Sequence, residues 1–225
     1  MMTLFQPGHF FYEVWIARGV LLSGLAITVA SAASIIAIGL SVGILGGLCL
    51  TYAARPIRWV MRAYVDVVRG TPVLVLIFFV FYGTAIIGID VSPFVAGVLA
   101  IGGFCVAHTA ETVRGALESI PQAQSDAAKA IGLGFWGRLV HALGPQAVRR
   151  ALPPWINTAV EMVKGTTLLS LIGVVDLLLA AQQAVSRSFM AMEFYGACLV
   201  VYVVICLGIS QLGALVERRL AYIRY

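Results

Sequence analysis

Charge is scarce in this sequence. Asp, Glu, Lys and Arg make up 11% of 225 residues, against 61% hydrophobic, where an average soluble domain is about 25% charged and about 45–50% apolar. With a mean hydropathy of +0.98, a single globular domain has too little polar surface to cover this much hydrocarbon. An ordinary soluble enzyme, a disordered tail and a secreted disulfide scaffold are excluded. Histidine is sparse as well, with three residues. No second His or Cys stands at metal-ligand spacing, so no metal site is expected. The four cysteines (Cys49, Cys105, Cys198, Cys206) lie in apolar runs without paired spacing and read as small core residues. There is no Gly-x-x-x-x-Gly-Lys-Ser/Thr loop to cradle nucleotide phosphates. No nucleophile with a base survives inspection, and no catalytic residue is assigned. Gly39-Leu40-Ser41-Val42-Gly43 spells a hydrolase elbow, but it needs a strand-to-helix turn and Asp and His partners. Gly132-x-Gly134-x-x-Gly137 spells a dinucleotide fingerprint, but it follows a helical pattern rather than a strand.

Long uncharged runs are what the sequence has instead. Gly19–Ala54 is 36 residues without Asp, Glu, Lys or Arg, Gly70–Ile89 and Val91–Ala110 are 20 each, and Phe194–Val216 is 23. A bilayer core takes about 20 helical residues. The first run is too long for one span, so its start is expected to lie along the interface or to tilt. Ala151–Leu179 is a fifth apolar stretch, interrupted by Glu161, Lys164 and Asp176. The expected fold is an all-α membrane protein with five transmembrane helices. The Met1–Glu13 segment has no basic n-region, so no cleavable signal peptide is expected.

Eleven of the 15 basic residues fall on one side of such a bundle: Arg55, Arg58 and Arg62; Arg114, Lys129, Arg138, Arg149 and Arg150; and Arg218, Arg219 and Arg224. Arg18 and Arg187 fall on the other, and Arg69 and Lys164 at membrane depth. The positive-inside rule then puts the C-terminus in the cytoplasm and the N-terminus outside. It accounts for the net charge of +5 without nucleic acid. The expected division is an extracytoplasmic segment over 1–18, a membrane domain over 19–220 and a cytoplasmic tail over 221–225. Trp59 and Trp155 fit interfacial anchors. Gly39, Gly43 and Gly47, at four-residue spacing, form a stripe on which helix backbones can approach closely.

Between spans three and four, Glu111–Pro154 is the longest polar region. Ser125-Asp126 reads as an N-cap for a short helix ended by Gly132 and Gly134. A second piece, Phe135–Leu143, reads as closed by Gly144-Pro145, and Pro153-Pro154 as launching the fourth span. Two short helices joined by a Gly turn make a knob. Its alanines offer a slim surface either to a groove on another protein or to lipid headgroups.

Asp126-Ala127-Ala128-x-x-x-Gly132, followed after nine residues by Ala142-Leu143-Gly144-Pro145, resembles the EAA loop of ABC importer permeases. Asp126, Ala142 and Gly144 depart from that pattern. Arg69-Gly70-Thr71-Pro72, the aromatic run ending Phe81-Tyr82-Gly83, Ala110-Glu111-Thr112-x-Arg114-Gly115-Ala116 and Lys164-Gly165-Thr166-Thr167-Leu168 resemble the permeases for polar amino acids, the histidine, glutamine and glutamate type. The resemblance covers about Leu21–Leu220. It implies the type I importer permease fold in a bacterial cytoplasmic (inner) membrane, with a coupling helix in the loop at about 118–146. It implies docking of an ATP-binding subunit at Asp126, Ala127, Ala128, Gly132 and Pro145. The implied partners are a second permease subunit, identical or homologous, two ATP-binding subunits and an extracytoplasmic amino-acid-binding protein. This chain would carry no cofactor, ATP and Mg being held by the ATPase subunits.

A few polar groups stand at membrane depth. Arg58, Arg62, Asp66 and Arg69 are spaced by four, four and three and share one helix stripe. Asp66 can pair with Arg62 or Arg69. Pro72 interrupts the helix directly after Arg69, and broken helices at membrane depth often build small-molecule sites. Glu161 and Lys164, three apart, either neutralise each other or face a polar cavity. There the ammonium of an amino acid would meet Glu161, and its carboxylate Lys164 or Arg69. The candidate substrate contacts are Arg69, Gly70, Thr71, Pro72, His108, Glu161, Lys164 and Thr166. The bland alternatives are a kink at Pro72, a packed His108 and a back-bonded Thr166. Asp176 is expected to cap the outer end of span four. The function these features imply is ATP-driven import of a polar amino acid by a transport subunit that is not an enzyme. The alternative is an ion-coupled secondary transporter or channel, which would show an inverted repeat or buried coupling carboxylates.

Overall fold

The structure, a computed structural model, describes residues 9–220. Residues 1–8 of the amino-terminal segment and the 221–225 tail, with Arg224, lie outside the described residues. Every regular element among the described residues is helical: α1 (Phe10–Tyr52), α2 (Arg55–Gly70), α3 (Val73–Ile86), α4 (Pro93–Glu118), α5 (Gln122–Ala130), α6 (Phe135–Arg138), a π-turn (Leu139–Leu143), α7 (Gly144–Gly165), a 3₁₀ segment (Thr166–Ile172), α8 (Leu177–Ser188) and α9 (Ala191–Leu220). α1, α4 and α9 are long and apolar enough to cross a membrane. Counting each of two broken pairs as one span, α2 with α3 and α6–α7 with α8, gives up to five.

α1 takes up the excess length of the first run without a break, as one helix of 43 residues, about 65 Å at 1.5 Å per residue. Its last carbonyls are satisfied from the next helix: the Arg58 guanidinium donates to the carbonyls of Thr51 (3.4 Å) and Ala53 (3.1 Å). α2 ends because Pro72 disfavours helical backbone at the residue before it. Thr71 is extended (φ −103°, ψ 134°) and its N–H turns back to the Val68 carbonyl.

Four expectations about boundaries are corrected. α5 starts at Gln122, with Pro121 at its N-cap position, not at Ser125-Asp126. The fixed φ of Pro121 suits a helix entry, and Asp126 lies inside the helix, accepting from Lys129 and Gln122. Gly144-Pro145 does not close a helix. Pro145 has no N–H to give the His141 carbonyl, and its ring would strike that group. The chain instead widens into the π-turn, where the Gly144 N–H reaches back to the Leu139 carbonyl. A Cβ at Gly144 would lie 2.5 Å from that oxygen. Pro153 and Pro154 sit inside α7 rather than at its start. Asp176 opens α8 instead of closing span four, its carboxylate accepting from the Leu179 N–H at 2.9 Å.

The described residues form two units, residues 9–35, 73–101 and 161–207, and residues 36–72, 102–160 and 208–220. Within the first, Ala17, Leu177, Ala181, Ala184, Phe194 and Cys198 form a core. The start of α8 is pinned there by the Leu177 N–H donating to Thr28 Oγ1 at 3.0 Å. Within the second, Leu50, Val65, Ala107 and Ala110 pack together, as do Ala116, Leu117, Ile120 and Ala147. The glycine stripe of α1 meets α4 in this unit. A Cβ at Gly43 would come within 2.5 Å of Thr109 Cβ, one at Gly47 within 2.5 Å of Val113 Cβ, and one at Gly39 would collide with the Cys105 side chain. The backbones are close because these positions carry no side chain.

Candidate functional site

The knob belongs to the second unit. α5 ends on Gly132, whose positive φ of 85° is open to glycine at no steric cost. The reversal is fixed by the Gly132 N–H to the Lys129 carbonyl (2.9 Å) and the Leu133 N–H to the Ala128 carbonyl (3.1 Å). Of the docking residues read from the sequence, Asp126, Ala127 and Gly132 are exposed, Pro145 is half-buried and Ala128 is buried on the inner face of α5. Lys129 Nζ stands 3.2 Å from Asp126 Oδ1. This hydrogen bond, with a second from the Gln122 amide, holds the Asp126 carboxyl below its ordinary value. Beside α5 lies a cavity of about 350 Å³, lined among others by Tyr52, Glu118, Gln122, Ser125, Phe135 and Arg138. Arg138 leans across it, Nη1 lying 3.4 Å from Ser125 Oγ. On the far side of the knob, Arg150 donates to Ser119 Oγ (3.0 Å) and to the Ser119 carbonyl, tying the end of α4 to α7.

Also in the second unit, the charges of α2 converge on α4. Arg62 reaches Asp66 (3.3 Å) on its own helix and Glu111 (3.2 Å) on α4. Arg69 reaches the same Glu111 at 3.8 Å. Arg114 grips Glu111 with a two-pronged fork, Nε to Oε2 at 2.9 Å and Nη2 to Oε1 at 2.6 Å, and also bonds Glu118. Arg69 is therefore held by a carboxylate of its own chain. Gly70 is exposed, and Thr71 Oγ1 donates to the Val67 carbonyl at 2.8 Å. His108, one turn before Glu111, is half-buried with its ring 4.5 Å from that of Phe104. The two tryptophans expected as anchors differ: Trp59 is exposed, whereas Trp155 is half-buried with its indole N–H enclosed.

Glu161, Lys164 and Thr166 belong to the first unit. Glu161 and Lys164 are exposed on α7, and among the described residues no ion pair joins them. Thr166 is fully buried, its hydroxyl donating to the Val163 carbonyl at 2.8 Å. Sequence reasoning did not single out the Glu111–Arg114 pair on which Arg62 and Arg69 converge. The signal was present: Glu111, Arg114 and Glu118 follow each other at three and four residues, the spacing of helix ion pairs.

A multi-pass helical chain with a compact polar knob, an interrupted helix and a few charges on its apolar helices has the layout of a membrane transport subunit. Residues 35–222 match the family of the binding-protein-dependent transport system inner membrane component, and the chain belongs to that family. It is 32% identical over 209 residues to the glutamine transport system permease protein GlnP of Escherichia coli (strain K12), covering 92% of this chain and 95% of that one. It is 32% identical over 183 residues to the L-cystine transport system permease protein TcyB of Bacillus subtilis (strain 168), covering 81% of this chain and 78% of that one. Its fold superposes on the crystal structure of an amino acid ABC transporter with histidines with a TM-score of 0.85 at 29% identity, over 93% of this chain and 98% of that one. The chain is thus a permease subunit of the amino-acid ABC importer type, with the type I permease fold. It is a multi-pass inner-membrane protein that works within a transporter complex and is not itself an enzyme.

Proposed function

We propose that this permease passes a polar amino acid into the cell through a complex of two permease chains, identical or homologous. Two ATP-binding subunits, which hold the ATP and Mg, power it, and an extracytoplasmic binding protein delivers the substrate. The observation that carries the substrate class is the pair Glu161 and Lys164. They are opposite charges one turn apart, both exposed and not joined to each other. An amino acid presents one ammonium and one carboxylate, and each finds a charge-assisted partner there. Such charges persist in a lipid setting only where they face protein, water or a solute. The Arg69-Gly70-Thr71-Pro72 break and His108 are candidate contacts in their own right. Thr166, with its hydroxyl turned to Val163, shapes the end of α7 from behind.

The segment 118–146, with Asp126, Ala127, Ala128, Gly132 and Pro145, is the proposed docking element for the ATP-binding subunit. Ala128 serves as its inner packing residue. With the basic residues on that side, the C-terminus is cytoplasmic and the N-terminus outside. The test is co-purification of tagged permease with its ATPase, followed by uptake in proteoliposomes. Glu161→Ala and Lys164→Ala complexes should assemble and lose most uptake. Normal uptake by both sinks the substrate assignment, and a permease that never brings down an ATPase sinks the proposal as a whole.

A further inference from the structure

We infer that Glu111 is a positioning residue that pins the end of α2, next to the helix break, to the helix that leads into the docking knob. The inference rests on the importer reading above and adds a residue that reading does not use. Arg62 and Arg69 are seven residues apart on α2, about 10 Å of helix. Their guanidinium groups nevertheless close on one carboxylate from two directions, at 3.2 and 3.8 Å. That convergence fixes both the height and the rotation of α2 against α4. Tyr64, between the two arginines, adds a hydrogen bond to the Gly103 carbonyl at 2.7 Å, and Val65 is fully buried beside Ala107 and Ala110.

The two ends of the pin differ in strength. The Arg114 fork and Glu111 lie on the same helix one turn apart, and their side chains are 23% and 20% exposed. The side chain of Arg69 is 40% exposed, and its ion pair, at 3.8 Å, is the longest of the set. Exposed ion pairs are individually weak, so this contact can open at little cost while the fork keeps Glu111 aimed. Arg69 is also the last charged residue before Thr71-Pro72. Toward the other end of α4, Arg114 passes to Glu118, and Ser119 is held by Arg150 of α7 before the chain enters α5. A displacement of α5 therefore reaches Glu111 along one continuous helix, and Glu111 hands it to Arg69. Gly70, directly after Arg69, has no heavy atom within 4 Å of a would-be Cβ, so the chain has open space at that point.

The experiment uses the assembled complex in proteoliposomes with its ATPase and a substrate-loaded binding protein. Glu111→Gln keeps the shape and removes the charge. The expected result is normal assembly, unchanged basal ATPase activity and at least a 10-fold fall in uptake per ATP hydrolysed. In the double variant Arg69→Gln/Glu111→Gln, uptake per ATP should be no lower than in Glu111→Gln alone, because among the described residues the one ion pair of Arg69 is the contact that Glu111→Gln already cuts. Glu111→Asp should restore part of the coupling. If Glu111→Gln imports with the wild-type uptake-to-ATP ratio, or if the two losses multiply in the double variant, the inference is overturned. A wild-type complex without ATP-driven uptake would overturn the importer reading itself, and is told apart by that control. Should Glu111→Gln fail to assemble, Arg69→Gln cuts the last link alone, and a wild-type uptake-to-ATP ratio there overturns the proposal.

Discussion

Replacing Gly47 by alanine is the sharpest test of the helix packing. A Cβ there would stand 2.5 Å from Val113 Cβ, 2.6 Å from Val113 Cγ1 and 2.8 Å from the Ala110 carbonyl oxygen. Carbon atoms settle about 3.5–4.0 Å apart, so α1 and α4 must part by roughly 1 Å. Val113 cannot swing aside freely, because a β-branched side chain in a helix keeps one χ1 rotamer, and a backbone carbonyl cannot yield at all. Overpacking of this kind costs about 1–3 kcal/mol. Against it stands a helix-propensity gain of about 1 kcal/mol for alanine over glycine. Gly115→Ala on α4 takes the same gain with no clash, since nothing lies within 4 Å of its would-be Cβ. The two variants should differ by the full clash, about 1–3 kcal/mol. At roughly 2–4 °C per kcal/mol for a chain of this size, that is a gap of several degrees. Thermal unfolding of purified variants in detergent, followed by tryptophan fluorescence, reads it. Equal melting temperatures for Gly47→Ala and Gly115→Ala would refute the close approach of α1 and α4.

Three further outcomes follow from the geometry. Asp176→Ala should cost about 1–2 kcal/mol by stripping the N-cap of α8, with Asp176→Asn losing less; thermal unfolding measures both, and an unchanged Asp176→Ala contradicts the cap. Gly132→Asp puts a side chain on a residue with φ of 85° and a second acid near Asp126, so the ATPase subunit should no longer co-purify; retained co-purification argues against docking through the knob. The folded-state value of Asp126 is depressed by Lys129 and Gln122, so the contribution of this contact is present above the ordinary carboxylate value and is lost only as pH falls through the lower folded one. The Asp126 contribution to ATPase binding should therefore persist to lower pH than an ordinary carboxylate, at about 4, would allow, which co-purification against pH for the native chain and for Lys129→Gln compares.

Much of the helical layout could be read from local pattern, because each uncharged run, the Pro72 break and the Gly132 reversal depend on neighbours in sequence. The glycine stripe of α1 was legible for the same reason, though its partners Cys105, Thr109 and Val113 were not. Prolines misled where tertiary context overruled their local effect: Pro145 is absorbed by a π-turn, and Pro153 and Pro154 ride inside α7. α8 was hidden because its start, Leu177, continues an apolar stretch, and only the fold shows that Asp176 caps it. The Glu111 cluster was half visible. Its Arg114 and Glu118 partners are local, but Arg62 and Arg69 lie more than forty residues away in sequence and meet Glu111 only once α2 packs on α4. Glu161 and Lys164 were identifiable as charges in an apolar stretch. Their side-by-side exposure without an ion pair is a property of the folded helix.

The central claim is ATP-driven import of a polar amino acid, and uptake by proteoliposomes tests it most directly. They would hold the permease with its ATPase, with ATP enclosed on the ATPase side and loaded binding protein on the other. The account predicts accumulation of the labelled amino acid that requires both ATP and the binding protein and disappears with Gly132→Asp. Uptake that persists without ATP and follows an imposed ion gradient would contradict it.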